Sequence, residues 1–184
     1  MATRWMMACG VAAVVTTAGV WGQSKPASGS PALVIVLETA RGVVEVELFP
    51  TDAPKSVAHN LDLVRKDIYR GHRLHWVSQS VVQTGDPQSR NMTLKAKWGK
   101  GGSGKAIGLS EVSKRSFVRG MVGLAFIDDP KTADSQFFIT KTTSPNLDGK
   151  YTMIGRVTIG MGVVDKIEGD DLLKVAYVKG EKPK

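Results

Sequence analysis

A chain of 184 residues with 42% apolar side chains is long enough for one domain with its own core, and we expect one domain with an appendage. Its single cysteine, Cys9, excludes a disulfide framework and a cysteine-ligated metal site in this chain. A formal net charge of +8 favours loose attraction to anionic surfaces or acidic unfolded chains, and is weak evidence for nucleic-acid binding.

The N-terminus has the pattern of an export signal. Arg4 supplies a positive charge, residues 5–20 are almost uncharged and apolar, and small residues flank a cleavage point before Gln23. We predict a signal peptide over residues 1–22, with an uncleaved membrane anchor as the alternative.

The mature chain is predicted to begin with a flexible linker over residues 23–32, which is rich in Ser, Pro and Gly. A single domain over residues 33–180 follows. Because Cys9 precedes the end of the apolar run, a lipoprotein anchor is rejected. We expect an exported protein, periplasmic or secreted, that is free of the membrane after signal cleavage.

Alternation over residues 33–48 predicts an antiparallel hairpin that turns at Ala40-Arg41-Gly42 and has one wet face. The apolar face is predicted to hold Val34, Val36, Val44, Val46 and Leu48.

A helix is predicted after this hairpin, with Asp52 as its N-cap and Pro54 in its first turn. His59 lies beside its apolar stripe and is interpreted as a packed or surface histidine. The stripe itself recurs at helical spacing and consists of Val57, Leu61, Val64 and Ile68.

A Gly- and Lys-rich loop is predicted over residues 88–110. Part of it, residues 99–105, matches most of a phosphate-binding loop. We reject that function because Ala106 stands where a magnesium-binding Ser or Thr is needed. The lysines of the loop are interpreted as a solvated surface, with contact to an acidic partner as the alternative.

Short β-branched and aromatic runs predict the remaining strands, and one further helix is predicted over residues 162–167. The predicted strands cover residues 74–77, 81–85, 122–126, 136–140, 151–157 and 172–178.

Several segments resemble the cyclophilin family of peptidyl-prolyl isomerases. They are SQFFI at residues 135–139, LDGKY at 147–151, APKSVAHNLDLV at 53–64, and LHWV followed by VVQTGDP at 74–87. The resemblance runs from about Leu33 to Val178 and is to divergent, bacterial-type members. It implies a mainly-β fold, a closed eight-stranded antiparallel barrel capped by two α-helices.

The resemblance also implies a proline-binding site. Trp76 stands where the family has its catalytic arginine, and Gln83 matches the glutamine that orients this arginine. Ser80 stands where a pocket phenylalanine usually lies, and Phe126 replaces an Asn or Arg. The substrate-binding residues implied are Val81, Ala125, Gln136, Phe138, Leu147 and Tyr151.

The function implied is isomerisation of Xaa–Pro bonds in exported proteins, without a cofactor or a metal, and slow because Trp76 replaces the arginine. The alternative is a catalytically silent module that binds proline-containing or unfolded segments. In a purely structural interpretation, Trp76 packs against Phe138 as core. We expect a monomer and no nucleic-acid partner, and a strong salt dependence would identify a nucleic-acid binder.

Overall fold

A computed structural model of the chain describes residues 32–181 and Pro183, which form a mainly-β fold. The predicted signal peptide over residues 1–22, and the predicted linker except Ala32, lie outside the described residues. No helix in the described part of the chain is long and apolar enough to cross a membrane.

Within residues 32–181 there are nine strands in one antiparallel sheet, and two α-helices. The strands are β1 (Val34–Thr39), β2 (Gly42–Leu48), β3 (His72–Arg73), β4 (Trp76–Val77), β5 (Val81–Thr84), β6 (Met121–Leu124), β7 (Phe137–Thr140), β8 (Met153–Ile159) and β9 (Leu172–Val178). Their order across the sheet is β3-β9-β1-β2-β8-β6-β7-β5-β4. The helices are α1 (Pro54–Arg65) and α2 (Met161–Asp165).

The closed eight-stranded barrel expected from the resemblance is corrected to a curled, nine-stranded half-barrel. The difference arises at the predicted strand over residues 74–77, where β3 pairs with β9 and β4 pairs with β5. Between them the backbone of Leu74 bonds to the loop before β9, donating to Asp171 O at 2.9 Å. The sheet therefore ends at β3 and β4, and Thr84 Oγ1 links the two ends by donating to Arg73 O at 3.0 Å.

The β1–β2 hairpin is present, but the predicted core face of β1 is wrong by one residue. Ile35 lies opposite Val46, and Leu37 opposite Val44, so these residues share the core face. Because Val36 on the other face is also buried, β1 is apolar on both faces. The hydrophobic pattern of β1 therefore could not predict which of its two faces packs against the core.

Helix α1 begins at Pro54, which lies in its first turn as predicted, but Asp52 does not cap it. The N-cap position is Ala53, which makes no side-chain cap bond, and the carboxylate of Asp52 pairs with Arg115 instead. Glu111 takes the capping role, since it accepts from the backbone N–H groups of Lys55 at 3.2 Å and Ser56 at 2.8 Å. Helix α2 lies within one to two residues of its predicted bounds.

Candidate functional site

A pocket of about 140 Å³ brings together six of the eight predicted site residues. It opens where β5, β7, the end of β6 and the segment before β8 meet. Gln83 on β5 lies directly opposite Phe138 on β7, and Ala125 follows β6. The six residues are Val81, Gln83, Ala125, Phe138, Leu147 and Tyr151, and Phe126 completes the lining.

Aromatic rings form the floor and one wall of this pocket. Phe138 is buried and meets Tyr151 edge-on with 5.3 Å between ring centroids, while Phe117 supports it from behind at 5.6 Å. Phe126 packs on the other side of Tyr151 at 4.8 Å. Such ring packing gives a rigid apolar surface that suits a small saturated ring.

The sequence did not reveal two of these rings as pocket residues. Phe126 was noted there only as a departure from the family pattern, although its place beside Ala125 was a usable signal. Phe117 has no local signal, because its contact with Phe138 forms only when the loop before β6 folds over the sheet.

Two glutamine side chains form a fixed pair at the rim of the pocket. Gln136 donates both N–H bonds of its amide, to Gly99 O at 3.0 Å and to Gly101 O at 2.7 Å. Its Oε1 therefore accepts from Gln83 Nε2, at 2.8 Å. Because that bond uses one of the two N–H groups of Gln83, its other N–H and its Oε1 are left without a partner among the described residues.

The buried carboxylate of Asp86 holds one side of the Gly-rich loop that orients Gln136. Asp86 Oδ2 accepts from the backbone N–H groups of Gly99 at 2.6 Å and Gly101 at 3.1 Å. A Cβ at Gly101 would lie 2.4 Å from Asp86 Oδ1, so only glycine fits there. The glycines of the loop are thus tied to the core beside the pocket, whereas its lysines Lys95, Lys97, Lys100 and Lys105 are exposed, as predicted.

A second carboxylate, Asp134, holds the far side of the same loop. Its oxygens accept from Ser103 Oγ at 2.6 Å and from the backbone of Gly104 at 3.0 Å. Asp134 Oδ1 also lies 3.0 Å from His59 Nε2, which links the loop to α1. His59 is therefore a packed histidine, as predicted.

The structure places Trp76 outside the pocket. Its side chain is 61% exposed and lines a neighbouring cavity instead. The alternative that Trp76 packs against Phe138 as core is therefore wrong. The physical reason is that β4 is the last strand of the sheet, so no further strand covers the ring.

The resemblance leads to the expectation of an arginine in the site, and three arginines that could serve there are bound elsewhere. Arg73 Nη1 donates to Asp170 O at 2.9 Å, and Arg90 Nε donates to Arg70 O at 2.9 Å. Arg119 forms a bidentate pair with Asp165 at 2.9 and 2.6 Å. No arginine of the described chain lines the pocket.

The pocket therefore offers an apolar floor, the amide of Gln83 fixed by Gln136, and one phenol, without a nucleophile or a charged acid–base pair. Within residues 32–181, no group of three or more His, Cys, Asp or Glu is placed to hold a metal ion. The groups that line the pocket can bind an apolar ring and hydrogen-bond to peptide carbonyls. The pocket therefore suits a reaction that changes the shape of a bond rather than breaking one.

Comparison with known proteins finds a family that matches most of the chain. The sequence model described as "Cyclophilin type peptidyl-prolyl cis-trans isomerase/CLD" matches residues 34–183. A probable peptidyl-prolyl cis-trans isomerase of Brucella suis is 41% identical over 145 residues, which cover 77% of this chain and 74% of that relative. The peptidyl-prolyl cis-trans isomerase-like 3 of Gallus gallus is 36% identical over 137 residues, covering 74% and 82%.

Two solved structures share the fold at lower identity. A cyclophilin-type isomerase of Cryptosporidium parvum, crystallised in the presence of the dipeptide Ala-Pro, has a TM-score of 0.70 and 24% identity, over 80% of this chain and 99% of that one. A cyclophilin from Hirschia baltica has a TM-score of 0.68 and 23% identity, over 84% and 77%.

Proposed function

The chain belongs to the family of cyclophilin-type peptidyl-prolyl cis-trans isomerases, and on that premise we propose that the pocket around Phe138 is where it isomerises Xaa–Pro bonds. The barrier to this rotation is roughly 18–20 kcal/mol, because the nitrogen shares its lone pair with the carbonyl. A catalyst needs only to hold the twisted amide better than either planar form.

Each part of the pocket has a task in this proposal. The proline ring lies on Phe138, between Val81 and Leu147, and its burial supplies binding energy. Gln83 donates its free N–H to the substrate. This amide is pre-oriented by Gln136, so little freedom is lost when it binds.

We infer that the isomerase is slow because no arginine of the described chain lines the pocket. Trp76 stands at the position of the family's catalytic arginine, where a charged donor would hold the prolyl nitrogen as conjugation is lost. Loss of one preorganised donor costs on the order of 10²–10³ in rate. We therefore propose turnover that is slower than with an arginine at this position.

A catalytically silent binding module is the second candidate. The exposure of Trp76 favours it, because an indole that faces solvent beside the pocket holds no fixed donor over the prolyl nitrogen. The ring-binding floor and the amide pair would serve binding in either case.

NMR exchange spectroscopy on an Ala-Pro peptide separates the two candidates, with the full chain, Trp76→Arg and Trp76→Ala side by side. The slow isomerase accelerates exchange in the unmodified chain, and Trp76→Arg raises the rate further. The variant Trp76→Ala controls for removal of the ring without gain of a guanidinium. Acceleration by Trp76→Arg alone would establish the silent module. Silence in all three would refute the isomerase, and the lack of any calorimetric binding of the same peptide would refute the binding module as well.

We propose further that the protein is exported, periplasmic or secreted, and acts as a monomer on proline-containing segments of unfolded exported chains, without nucleic acid. The apolar run after Arg4 supports the export, and the open pocket supports an extended polypeptide as substrate. Mass spectrometry of the protein from its own cells tests export. A mature N-terminus at Gln23 is expected, and an intact Met1 in the cytoplasmic fraction would contradict it.

A further inference from the structure

A second cavity of about 450 Å³ opens beside the proline pocket, and we call it the tryptophan cavity. Of the proline pocket's lining residues it shares Gln83. The lining residues are His75, Trp76, Gln83, Lys95, Trp98, Gly99 and Lys100. The two cavities therefore adjoin at Gln83, within reach of the residues next to a proline that lies on Phe138.

Two indole rings supply most of its apolar surface. Trp76 is 61% exposed, and its side chain has no hydrogen bond or ring contact with any residue of the described chain. Trp98 is half-buried, and its N–H donates to Asn91 O at 3.2 Å, which fixes the ring in place. Large exposed apolar surface beside a ligand pocket is characteristic of a binding site.

The charges around the cavity are largely neutralised. Lys95 forms an ion pair with Asp170 and lies 5.7 Å from the centroid of the Trp98 ring. Burial lowers the pKa of His75, so this ring is neutral at physiological pH. Lys100 is the one lining cation without a carboxylate partner among residues 32–181. The cavity therefore offers ring surface more than charge.

We propose that the tryptophan cavity is a second substrate subsite, which binds an aromatic side chain lying close in sequence to the isomerised proline. This inference rests on the proposed function, since it assumes that the proline occupies the pocket around Phe138. The indoles provide offset-stacked or edge-on partners, which favour an aromatic ring over a saturated one of equal size. The preferred substrates are then segments in which proline has an aromatic neighbour.

The test is a set of capped hexapeptides, with Ala-Ala-Ala-Pro-Ala-Ala as the reference and one Phe placed at each other position in turn. Binding to the full chain is measured by calorimetry. At one position Phe is expected to lower the Kd by about tenfold relative to Ala. Cyclohexylalanine at that position should bind about two- to tenfold more weakly than Phe, because it lacks the aromatic contribution.

The variant Trp98→Ala is expected to bring the Phe-to-Ala ratio of affinities close to one. Met92→Ala is the matched control, since Met92 is exposed, lies six residues away and does not line the cavity. With 5-fluorotryptophan in the full chain, the ¹⁹F signals of Trp76 and Trp98 should move with the Phe peptide more than with the reference. Single Trp→Phe variants assign the signals.

Each outcome of these experiments either supports or overturns the aromatic subsite. A missing Phe preference, an equal gain from cyclohexylalanine, or a preference that survives Trp98→Ala overturns the subsite. Equal weakening of both peptides by Trp98→Ala assigns Trp98 a structural role and also overturns it. Exchange spectroscopy on the same peptides separates the two proposals, because a Phe preference in binding without faster cis–trans exchange refutes the isomerase function alone.

Discussion

At the scale of single residues, the position of Phe138 depends on a missing side chain across the sheet. Gly123 on β6 lies opposite Phe138 in the strand register, and a Cβ at this position would lie 2.5 Å from Phe138 Cζ and 2.9 Å from Phe117 Cε1. Both rings are packed, so neither can yield without disturbing the pocket floor.

Gly123→Ala is therefore expected to lower the free energy of unfolding by about 1–3 kcal/mol, the usual cost of overpacking. It should also weaken binding of an Ala-Pro peptide, because the ring of Phe138 is displaced. Urea unfolding and calorimetric titration measure the two effects.

Gly162→Ala is the matched control, since a Cβ at Gly162 in α2 meets no atom within 4 Å. It should leave peptide binding intact and keep or slightly raise stability. Equal stability and affinity in both variants would refute the steric role of Gly123.

The sequence predicted the residues of the site better than their surroundings. Gln83, Gln136 and Phe138 stand in short motifs that resemble the cyclophilin family, and this resemblance implied their place in the site. The exposure of Trp76 could not be predicted, because it depends on β4 being the last strand of the sheet. The tie between Asp86 and Gly101 was equally hidden, because it joins a strand end to a loop fifteen residues away.

At the scale of elements, the start of α1 depends on a distant carboxylate. Glu111 accepts from two of the first N–H groups of the helix, which have no partner within the helix itself. A carboxylate here also interacts favourably with the helix dipole. The loop that carries Glu111 thereby joins α1 to the segment before β6.

Glu111→Ala is expected to cost about 1 kcal/mol of stability, as loss of a capping side chain usually does. Asp52→Ala is the control, because Asp52 lies at the same helix end but pairs with the exposed Arg115, an interaction worth little. Chemical unfolding of both variants gives the comparison. A larger loss in Asp52→Ala would restore Asp52 as the cap.

Most elements were predictable from periodicity, and the differences have local causes. Helix α1 follows from its apolar stripe, but a cap supplied 55 residues further along the chain leaves no signal near the helix. Of the predicted strand over residues 74–77 only Trp76 and Val77 lie in a strand, because the backbone of Leu74 bonds to Asp171 in the loop before β9. Such exchanges of partners depend on tertiary contacts that a local pattern does not contain.

At the scale of the whole molecule, one buried histidine connects stability to pH. His72 on β3 is fully buried, meets Tyr69 edge-on at 5.8 Å, and neither ring nitrogen has a hydrogen-bond partner within the described chain. Burial, with the nearby charge of Arg90, lowers the pKa of His72 to about 3. An unfolded histidine has a pKa of about 6.5.

The pKa of His72 is lower in the folded chain than in the unfolded chain, so the unfolded chain takes up the proton first as the pH falls. The free energy of unfolding is therefore unaffected by His72 above about pH 6.5 and decreases below it. We expect the free energy of unfolding to fall by about 2 kcal/mol more in the unmodified chain than in His72→Phe between pH 6.5 and pH 4.5. Urea unfolding across this range measures the difference.

Carboxylates affect this comparison only at lower pH. A hydrogen bond from Arg119 lowers the pKa of Asp165, and one from Arg65 lowers the pKa of Glu181. Their contributions to the free energy of unfolding are therefore lost below about pH 4. Parallel pH profiles of the unmodified chain and His72→Phe would mean that His72 is protonated as readily in the folded protein as in the unfolded one.

In our proposal this molecule isomerises prolyl bonds in a neutral pocket, with the amide of Gln83 as its fixed donor. The most direct test compares the cis–trans exchange rate of an Ala-Pro peptide in the presence of the unmodified chain, Gln83→Leu and Ser80→Ala. Ser80→Ala is the control, because Ser80 lies in the turn before β5 and does not line the pocket. We predict faster exchange than in the free peptide for the unmodified chain and Ser80→Ala, and a rate at least about tenfold lower for Gln83→Leu. Exchange in the presence of Gln83→Leu as fast as with the unmodified chain would refute Gln83 as the donor.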